Sequence, residues 1–244
     1  MDLPMTRLCT ICARGGSKGV AGKNTRLLAG RPLIVHSLEQ AKACGLFAAI
    51  AVSSDSDLIL DISKEWGADY FVRRPDELAT DTAPKLPAIR HCVAEVERRT
   101  GTRFETLVDL DATAPLRVME DIVGAVELLE SSGVSNVITG ATARRSPYFN
   151  LVELDQNGVA RLSKTLNTPI VRRQDAPICY DMNASIYVWR RDVLFESPTI
   201  FNDDTRLFVM PEERSIDIDS SLDFFIVERL MEQQASSGTQ PTAR

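Results

Sequence analysis

Short apolar runs alternate along the chain with longer segments whose apolar residues recur at helical spacing. The short runs predict strands in RLCTICA, FAAIAVSSD, ADYFVRR, ETLVDLDATAPLR and SNVITGATA. The longer segments predict helices over Pro32–Ala43, 57–67, Lys85–Thr100 and 118–133, and a glycine closes or follows the last three. This order is typical of an α/β fold with three layers, in which a mainly parallel sheet carries helices on both faces.

From about Pro147 the pattern changes. Residues 149–164 resemble a hairpin that turns at Gln156-Asn157-Gly158, a polar stretch follows, and ASIYVWRR predicts a further strand. We therefore expect one domain over 1–232, with 147–180 as an inserted arm. The polar end of the chain, 233–244, is expected to be a disordered tail.

Composition excludes several classes of function. The chain has 244 residues, a formal net charge of −6 and no apolar run long enough to span a bilayer. The acidic balance disfavours general binding of nucleic acids. We expect a cytoplasmic protein without membrane contact, because the amino terminus lacks a basic-then-apolar signal pattern.

Cysteine and histidine are poor candidates for chemistry here. The chain has five cysteines, of which Cys9 and Cys12 form a CxxC inside the first predicted strand. A spacing of three points these two side chains to opposite faces, so small core residues are favoured over a metal site or a disulfide. His36 and His91 are the only histidines, which disfavours a histidine-based triad or a zinc site.

The loop ARGGSKGVAGKN follows the first strand and combines glycines with basic residues. It contains no GxGxxG, and the spacing of Gly16 and Gly22 is one residue too long for a Walker A loop. Glycines let backbone N–H groups approach an anion, and cations neutralise its charge. The loop therefore predicts a triphosphate site. The residues assigned to it are Ala13, Arg14, Gly15, Gly16, Ser17, Lys18, Lys23 and Asn24.

The stretch SIDID near the carboxyl end contains a second candidate. If it is a strand, Asp217 and Asp219 share one face. Two adjacent carboxylates repel each other unless a cation separates them, and Mg²⁺ suits one or two carboxylates together with substrate phosphates. An exposed edge strand with outward aspartates is the alternative.

These motifs resemble those of a known family. ARGGSKGVAGKN, RRPDELATDTAPK, DATAPLR, RRQDAPICYDMNASIY and SIDIDSSLDF occur in the order seen in acylneuraminate cytidylyltransferases, over about Leu8 to Leu230. The resemblance implies a Rossmann-like nucleotidyltransferase fold and transfer of CMP from CTP to a nine-carbon 2-keto sugar acid. It also implies Mg²⁺, with Mn²⁺ as a substitute, and a homodimer in which the arm reaches the partner's sugar pocket.

The resemblance also implies roles for single residues. Arg14 and Lys23 would stabilise the leaving pyrophosphate, and Asp217 and Asp219 would bind the metal. The residues matched to the cytosine-reading segment are Arg74, Ala83 and Lys85. Those matched to the sugar are Asp111, Phe149, Arg173, Asn183 and Tyr187, although an ion pair with Asp175 or Asp181 is the alternative for Arg173.

Three positions depart from the family pattern. The family's QPTSPLR reads DATAPLR here, which replaces a sugar-contacting glutamine by Asp111. Ala184 replaces a glycine, and Phe149 stands where sialic acid enzymes present a lysine. A carboxylate beside an acidic substrate should weaken binding. A legionaminic-type sugar, a second metal, or a role for Asp111 as proton acceptor would each account for it.

Two other functions remain open from the sequence. One is a different sugar nucleotidyltransferase of the same fold, such as a CMP-Kdo synthetase. The other is a non-catalytic protein that binds nucleotide sugars, which the retention of both aspartates disfavours.

Overall fold

Strands and helices alternate through the computed structural model, which describes residues 6–16, 19–168 and 170–236. Its strands are β1 (Arg7–Cys12), β2 (Leu27–Leu28), β3 (Arg31–Pro32), β4 (Ala49–Ser54), β5 (Tyr70–Arg73), β6 (Thr106–Leu110), β7 (Asn136–Thr142), β8 (Val152–Leu154), β9 (Ala160–Leu162), β10 (Tyr180–Arg190) and β11 (Arg206–Val209). Its α-helices are α1 (Leu33–Ala43), α2 (Asp57–Glu65), α3 (Lys85–Thr100), α4 (Met119–Ser132), α5 (Arg191–Glu196) and α6 (Ser221–Ser236).

The central sheet has seven strands in the order β11-β7-β10-β6-β1-β4-β5. The pairs β1–β4, β1–β6, β4–β5 and β7–β11 are parallel, and only β10 runs antiparallel to its neighbours β6 and β7. The predicted mainly parallel sheet is therefore confirmed. The predicted bounds of α3 are also confirmed, since Gly101 ends this helix in the left-handed conformation, with φ of 68°.

Helices cover both faces of this sheet, as predicted. On one face Ile34 of α1, Ile59 of α2 and Ile122 of α4 pack in one apolar cluster. On the other face Ile89 of α3 and Leu194 of α5 pack in a second cluster. Cys9 belongs to the first cluster and Cys12 packs against the second, so the two thiols point to opposite faces, and all five cysteines are free.

Several predicted boundaries were wrong. The SIDID stretch is not a strand, and β11, α5 and α6 were not predicted. Helix α6 continues to Ser236, so the disordered tail does not begin at 233, and residues 237–244 lie outside the described residues. Within the predicted arm, β8 and β9 form the expected hairpin as a separate, exposed two-stranded sheet.

Strand β10 is longer than predicted, because it begins at Tyr180, before ASIYVWRR. Its pairing with β7 is interrupted. Met182 pairs with Gly140 and Tyr187 with Ile138, so β10 contains extra residues between these two pairs. Ala184 lies inside this bulge with φ of 49°, a left-handed conformation that favours glycine.

Among the described residues, no helix combines the length and the apolar character needed to cross a membrane.

Candidate active site

A cavity of about 520 Å³ opens beyond the carboxyl ends of β1 and β6, where ligands of such sheets usually bind. All five residues predicted to be catalytic line it, namely Arg14, Lys23, Asp111, Asp217 and Asp219. The other residues of its wall are Cys12, Ala13, Gly16, Gly19, Asn24, Ala112, Thr113 and Ala184. The cavity thus brings the glycine loop and both aspartates of SIDID into one place, although their sequence positions are far apart.

The glycine loop is held by one hydrogen bond within itself and by contacts to two other parts of the chain. The backbone N–H of Gly15 donates to Asp55 Oδ1 at 2.8 Å, and Asn24 Nδ2 donates to the carbonyl of Arg14 at 3.0 Å. Asn24 Oδ1 is buried without a partner among the described residues. A Cβ on Gly19 would lie 1.9 Å from the Asp219 carbonyl oxygen, so only glycine permits this approach. Ser17 and Lys18 lie outside the described residues.

Arg14 links the loop to the segment that precedes α3. Its Nη1 donates to the carbonyl of Thr80 and to Asp81 Oδ1, both at 3.0 Å. Ala83 follows in the same turn, where its N–H donates to the Thr80 carbonyl. The predicted base-reading residues Arg74 and Ala83 are not part of the cavity wall. Arg74 is buried and donates to Ser53.

The two aspartates of SIDID are held through the residue between them. The N–H of Ile218 donates to the Thr113 carbonyl at 2.9 Å, and Lys23 Nζ donates to the Ile218 carbonyl at 2.6 Å. Lys23 Nζ also lies 3.1 Å from Asp219 Oδ1. The Ile218 side chain is fully buried beside α6. Both aspartates line the cavity although the segment is not a strand, and the edge-strand alternative is wrong.

The charges of the cavity suit a hard cation. Burial, and then the charges of Asp219 and Asp111, raise the pKa of Asp217 above its ordinary value. Within the described residues no three acidic, histidine or cysteine side chains form a metal-binding group. Two carboxylates that depend on substrate oxygens for the remaining ligands match the usual coordination of Mg²⁺ by proteins that bind nucleotides.

Asp111 is fully engaged by its neighbours. Its Oδ2 accepts from Lys85 Nζ at 2.9 Å, while Oδ1 accepts from the N–H and Oγ1 of Thr113 at 2.9 and 2.8 Å. Burial raises the pKa of Asp111, but the charge of Lys85 and the hydrogen bonds from Lys85 and Thr113 lower it by more. The pKa of Asp111 therefore lies well below its ordinary value. A carboxyl group with such a low pKa is a weak base, and this geometry disfavours Asp111 as proton acceptor.

Lys85 does not line the 520 Å³ cavity, and its ammonium contacts two carboxylates instead. Besides Asp111 it pairs with Asp109 Oδ2 at 3.0 Å, and its Nζ lies 4.6 Å from the centre of the Tyr187 ring. Burial lowers the pKa of Lys85, but Asp109 and Asp111 raise it well above its ordinary value. Sequence reasoning missed this cluster, since no motif or periodicity connects its members.

The other predicted sugar residues lie outside the main cavity. Arg173 lines a separate cavity of about 320 Å³ together with Arg145. Its Nη2 donates to the Ala143 carbonyl, whereas Asp175 pairs with Arg172, so the alternative of an ion pair between Arg173 and Asp175 does not hold. The predicted contact of Arg173 with the sugar stays a prediction. Phe149 is partly exposed in the turn before β8.

Asn183 and Tyr187 belong to the interior. Asn183 Oδ1 accepts from Thr139 Oγ1 at 2.7 Å, and its Nδ2 donates to Ser215 Oγ at 3.0 Å, so its amide bonds to the protein itself. The Tyr187 ring is buried and stacks on Trp189. Their predicted contacts with a sugar remain predictions.

Five residues of the cavity wall were not predicted. They are Cys12, Gly19, Ala112, Thr113 and Ala184. Gly19 lies in the glycine loop and Ala112 and Thr113 in the DATAPLR motif, so the motifs themselves contained a signal for these three.

Comparison with known proteins settles the family. A family model described as cytidylyltransferase matches residues 8–233. The chain belongs to the cytidylyltransferase family. The resemblance seen in the sequence motifs is thereby confirmed.

Several relatives of this cytidylyltransferase resemble it over nearly its whole length. It is 50% identical over 224 residues to the CMP-N,N'-diacetyllegionaminic acid synthase of Campylobacter jejuni, covering 92% of this chain and 94% of the relative. It is 46% identical over 227 residues to the post-translational flagellin modification protein B of Campylobacter coli, covering 93% and 95%. An N-acylneuraminate cytidylyltransferase of Streptococcus agalactiae is 32% identical over 225 residues, covering 91% of this chain and 52% of the relative.

A solved structure supports the fold. The CMP:2-keto-3-deoxy-manno-octonic acid synthetase complexed with CTP superimposes with a TM-score of 0.69 at 17% identity, covering 94% of this chain and 99% of the other. At this identity the likeness establishes the nucleotidyltransferase fold of this cytidylyltransferase, and the Rossmann-like architecture predicted from the sequence is confirmed.

Proposed function

We propose that this protein transfers CMP from CTP to a nine-carbon 2-keto sugar acid of the legionaminic type, releasing pyrophosphate. The observation that carries the proposal is the single cavity that gathers the glycine loop, Lys23 and the pair Asp217 and Asp219. The choice of sugar is supported by the 50% identity to a diacetyllegionaminic acid synthase, against 32% for the N-acylneuraminate enzyme.

The described residues suit this chemistry by position and charge. Gly16 and Gly19 of the glycine loop line the cavity together with Lys23 and Arg14, and the charges of these two basic residues would stabilise charge that grows on pyrophosphate. Asp217 and Asp219 would hold Mg²⁺, which supplies charge neutralisation at the phosphates when bound. The rate enhancement would come mainly from holding the sugar hydroxyl in line with the α-phosphorus.

The sugar would approach from the side of the arm. Arg173 and Arg145 line one cavity there, and a guanidinium pairs with a carboxylate in a bidentate geometry that lysine copies badly. The exposed hairpin of β8 and β9 presents Val152, Leu154 and Leu162. We include in the proposal a homodimer in which this arm completes the sugar site of the partner.

The test is a product assay. The purified protein is incubated with CTP, MgCl₂ and a panel of nine-carbon keto acids, and the CMP-sugar is identified by mass. We expect a product with N,N'-diacetyllegionaminic acid, and none when UTP or GTP replaces CTP. If the protein made no CMP-sugar but still bound CTP or a CMP-sugar, the non-catalytic alternative would be favoured.

The metal assignment has its own test. Asp217→Asn removes one carboxylate charge at little change in volume, so the fold should persist while turnover falls by at least about 10²-fold, as expected for loss of a charge that acts in the transition state. Unchanged turnover and unchanged Mg²⁺ dependence in this variant would show that Asp217 is not a metal ligand. Far-ultraviolet circular dichroism confirms that the variant is folded.

A further inference from the structure

Lys85 carries a positive charge at a helix position that disfavours one. It is the first residue of α3, where the helix dipole disfavours a cation. Its ammonium instead lies 3.0 Å from Asp109 and 2.9 Å from Asp111, two positions whose spacing points them to one side of the sheet. The Asp109 side chain is completely buried, and buried carboxylates of this kind require a counter-charge. Lys85 supplies that charge.

Asp111 passes this constraint on to the turn that follows it. While Oδ2 is bound by Lys85, Oδ1 accepts both the N–H and the hydroxyl of Thr113. The carboxylate therefore bonds both to Lys85 and to Thr113, the residue whose carbonyl contacts the Ile218 backbone.

The Thr113 carbonyl in turn holds the aspartate pair. It accepts from the N–H of Ile218 at 2.9 Å, and the Ile218 side chain is fully buried below. Ile218 is flanked by Asp217 and Asp219, so the Thr113 carbonyl contacts the backbone between the two carboxylates. A continuous series of contacts thus runs from Lys85 through Asp111 and Thr113 to the proposed metal ligands.

We propose that Lys85 is a positioning residue that, through Asp111 and Thr113, holds Asp217 and Asp219 in place for a divalent cation. It does not read the nucleotide base. The pairing also explains why a carboxylate at 111 is compatible with an acidic substrate, because Lys85 neutralises its charge. The inference rests on the proposed function only for the identity of the cation.

The test measures cation binding directly. Mn²⁺ is titrated into the nucleotide-free protein and free Mn²⁺ is followed by electron paramagnetic resonance. We expect Lys85→Met and Asp111→Asn each to raise the Kd for Mn²⁺ by about 10–100-fold, as is usual when a group that orients a metal ligand is removed. The Kd for Mn²⁺ of the double variant Lys85→Met/Asp111→Asn should not exceed the larger of the two single-variant Kd values, because both substitutions act through one contact. Lys64→Met, at an exposed site on α2, is the matched control and should bind Mn²⁺ like the unmodified protein.

Kinetics separate positioning from base reading. At saturating Mg²⁺ the KM for CTP in Lys85→Met should stay within about twofold, and CTP should remain preferred over UTP, since the lost free energy concerns the metal. A KM for CTP raised more than tenfold, or a lost preference for CTP, with an unchanged Kd for Mn²⁺ would show that Lys85 reads the base and would overturn the inference.

Two further outcomes are distinguishable. If Lys85→Met does not fold, Lys85→Met/Asp109→Asn restores the charge balance of the buried cluster and still leaves Asp111 without its ammonium. An unchanged Kd for Mn²⁺ in this double variant would overturn the inference. If the unmodified protein makes no CMP-sugar from any acid, the proposed function fails while the Mn²⁺ titrations still decide the role of Lys85.

Discussion

Gly19→Ala tests the contact between the glycine loop and the Asp219 backbone. A Cβ at position 19 would lie 1.9 Å from the Asp219 carbonyl oxygen, and real Cβ contacts begin near 3.0 Å. The loop and the Asp219 segment must therefore separate by about 1.1 Å. A misplacement of roughly 1 Å costs about 10²-fold in rate, which is about 2.7 kcal/mol in the barrier. We expect kcat/KM for CTP to fall by that factor, and the free energy of unfolding to fall by about 1–3 kcal/mol because of overpacking.

The measurement combines pyrophosphate release with urea unfolding. Gly16→Ala is the matched control, because a Cβ at that position meets no heavy atom within 4 Å and should leave the unfolding free energy unchanged. If Gly19→Ala retained kcat/KM within threefold of the unmodified protein and unfolded at the same urea concentration, the loop would not be packed against Asp219 as described.

Three other predictions follow from the site and the bulge. In EDTA, Asp217→Asn should unfold at a temperature no lower than the unmodified protein at pH 7. The fold raises the pKa of Asp217, so ionisation costs stability as the pH rises through the carboxyl range, and the difference should vanish below the ordinary aspartate pKa; a lower Tm at pH 7 would contradict this. Ala184→Gly and the control Ala29→Gly both relieve positive φ and should each gain about 0.5–1 kcal/mol in urea unfolding, whereas a loss at either position would argue against the left-handed backbone there. Arg173→Lys should raise the KM for the sugar acid at least tenfold and leave the KM for CTP unchanged; equal KM values for the sugar would place its carboxylate elsewhere.

The helices and the central-sheet strands of the first 145 residues were predictable because their apolar periodicity reflects burial between two layers, whereas the two-residue strands β2 and β3 were not predicted. Helix α3 is the clearest case, with a glycine at its end and one apolar face. Strand β11 was not predictable, since its four residues form a strand only by pairing with β7. The SIDID stretch shows why alternation alone misleads. Its isoleucines pack against the cluster beside α6, so the pattern reports burial of alternate residues without any ladder of hydrogen bonds.

The site was predictable where short motifs contained its residues. The glycine loop and the two late aspartates were assigned to a common site, and both line the cavity. The Lys85 cluster was not found, because its contacts join α3 to the end of β6 and depend on how these elements pack.

The interruption in β10 matters to anyone who redesigns this enzyme. Met182 and Val188 are six residues apart, which in an unbroken strand would put both on the same side. Their partners on β7, Gly140 and Val137, are three apart and therefore face opposite layers. A mutational library that extrapolates inward and outward positions from one half of β10 to the other would place polar residues in the core and apolar residues in solvent.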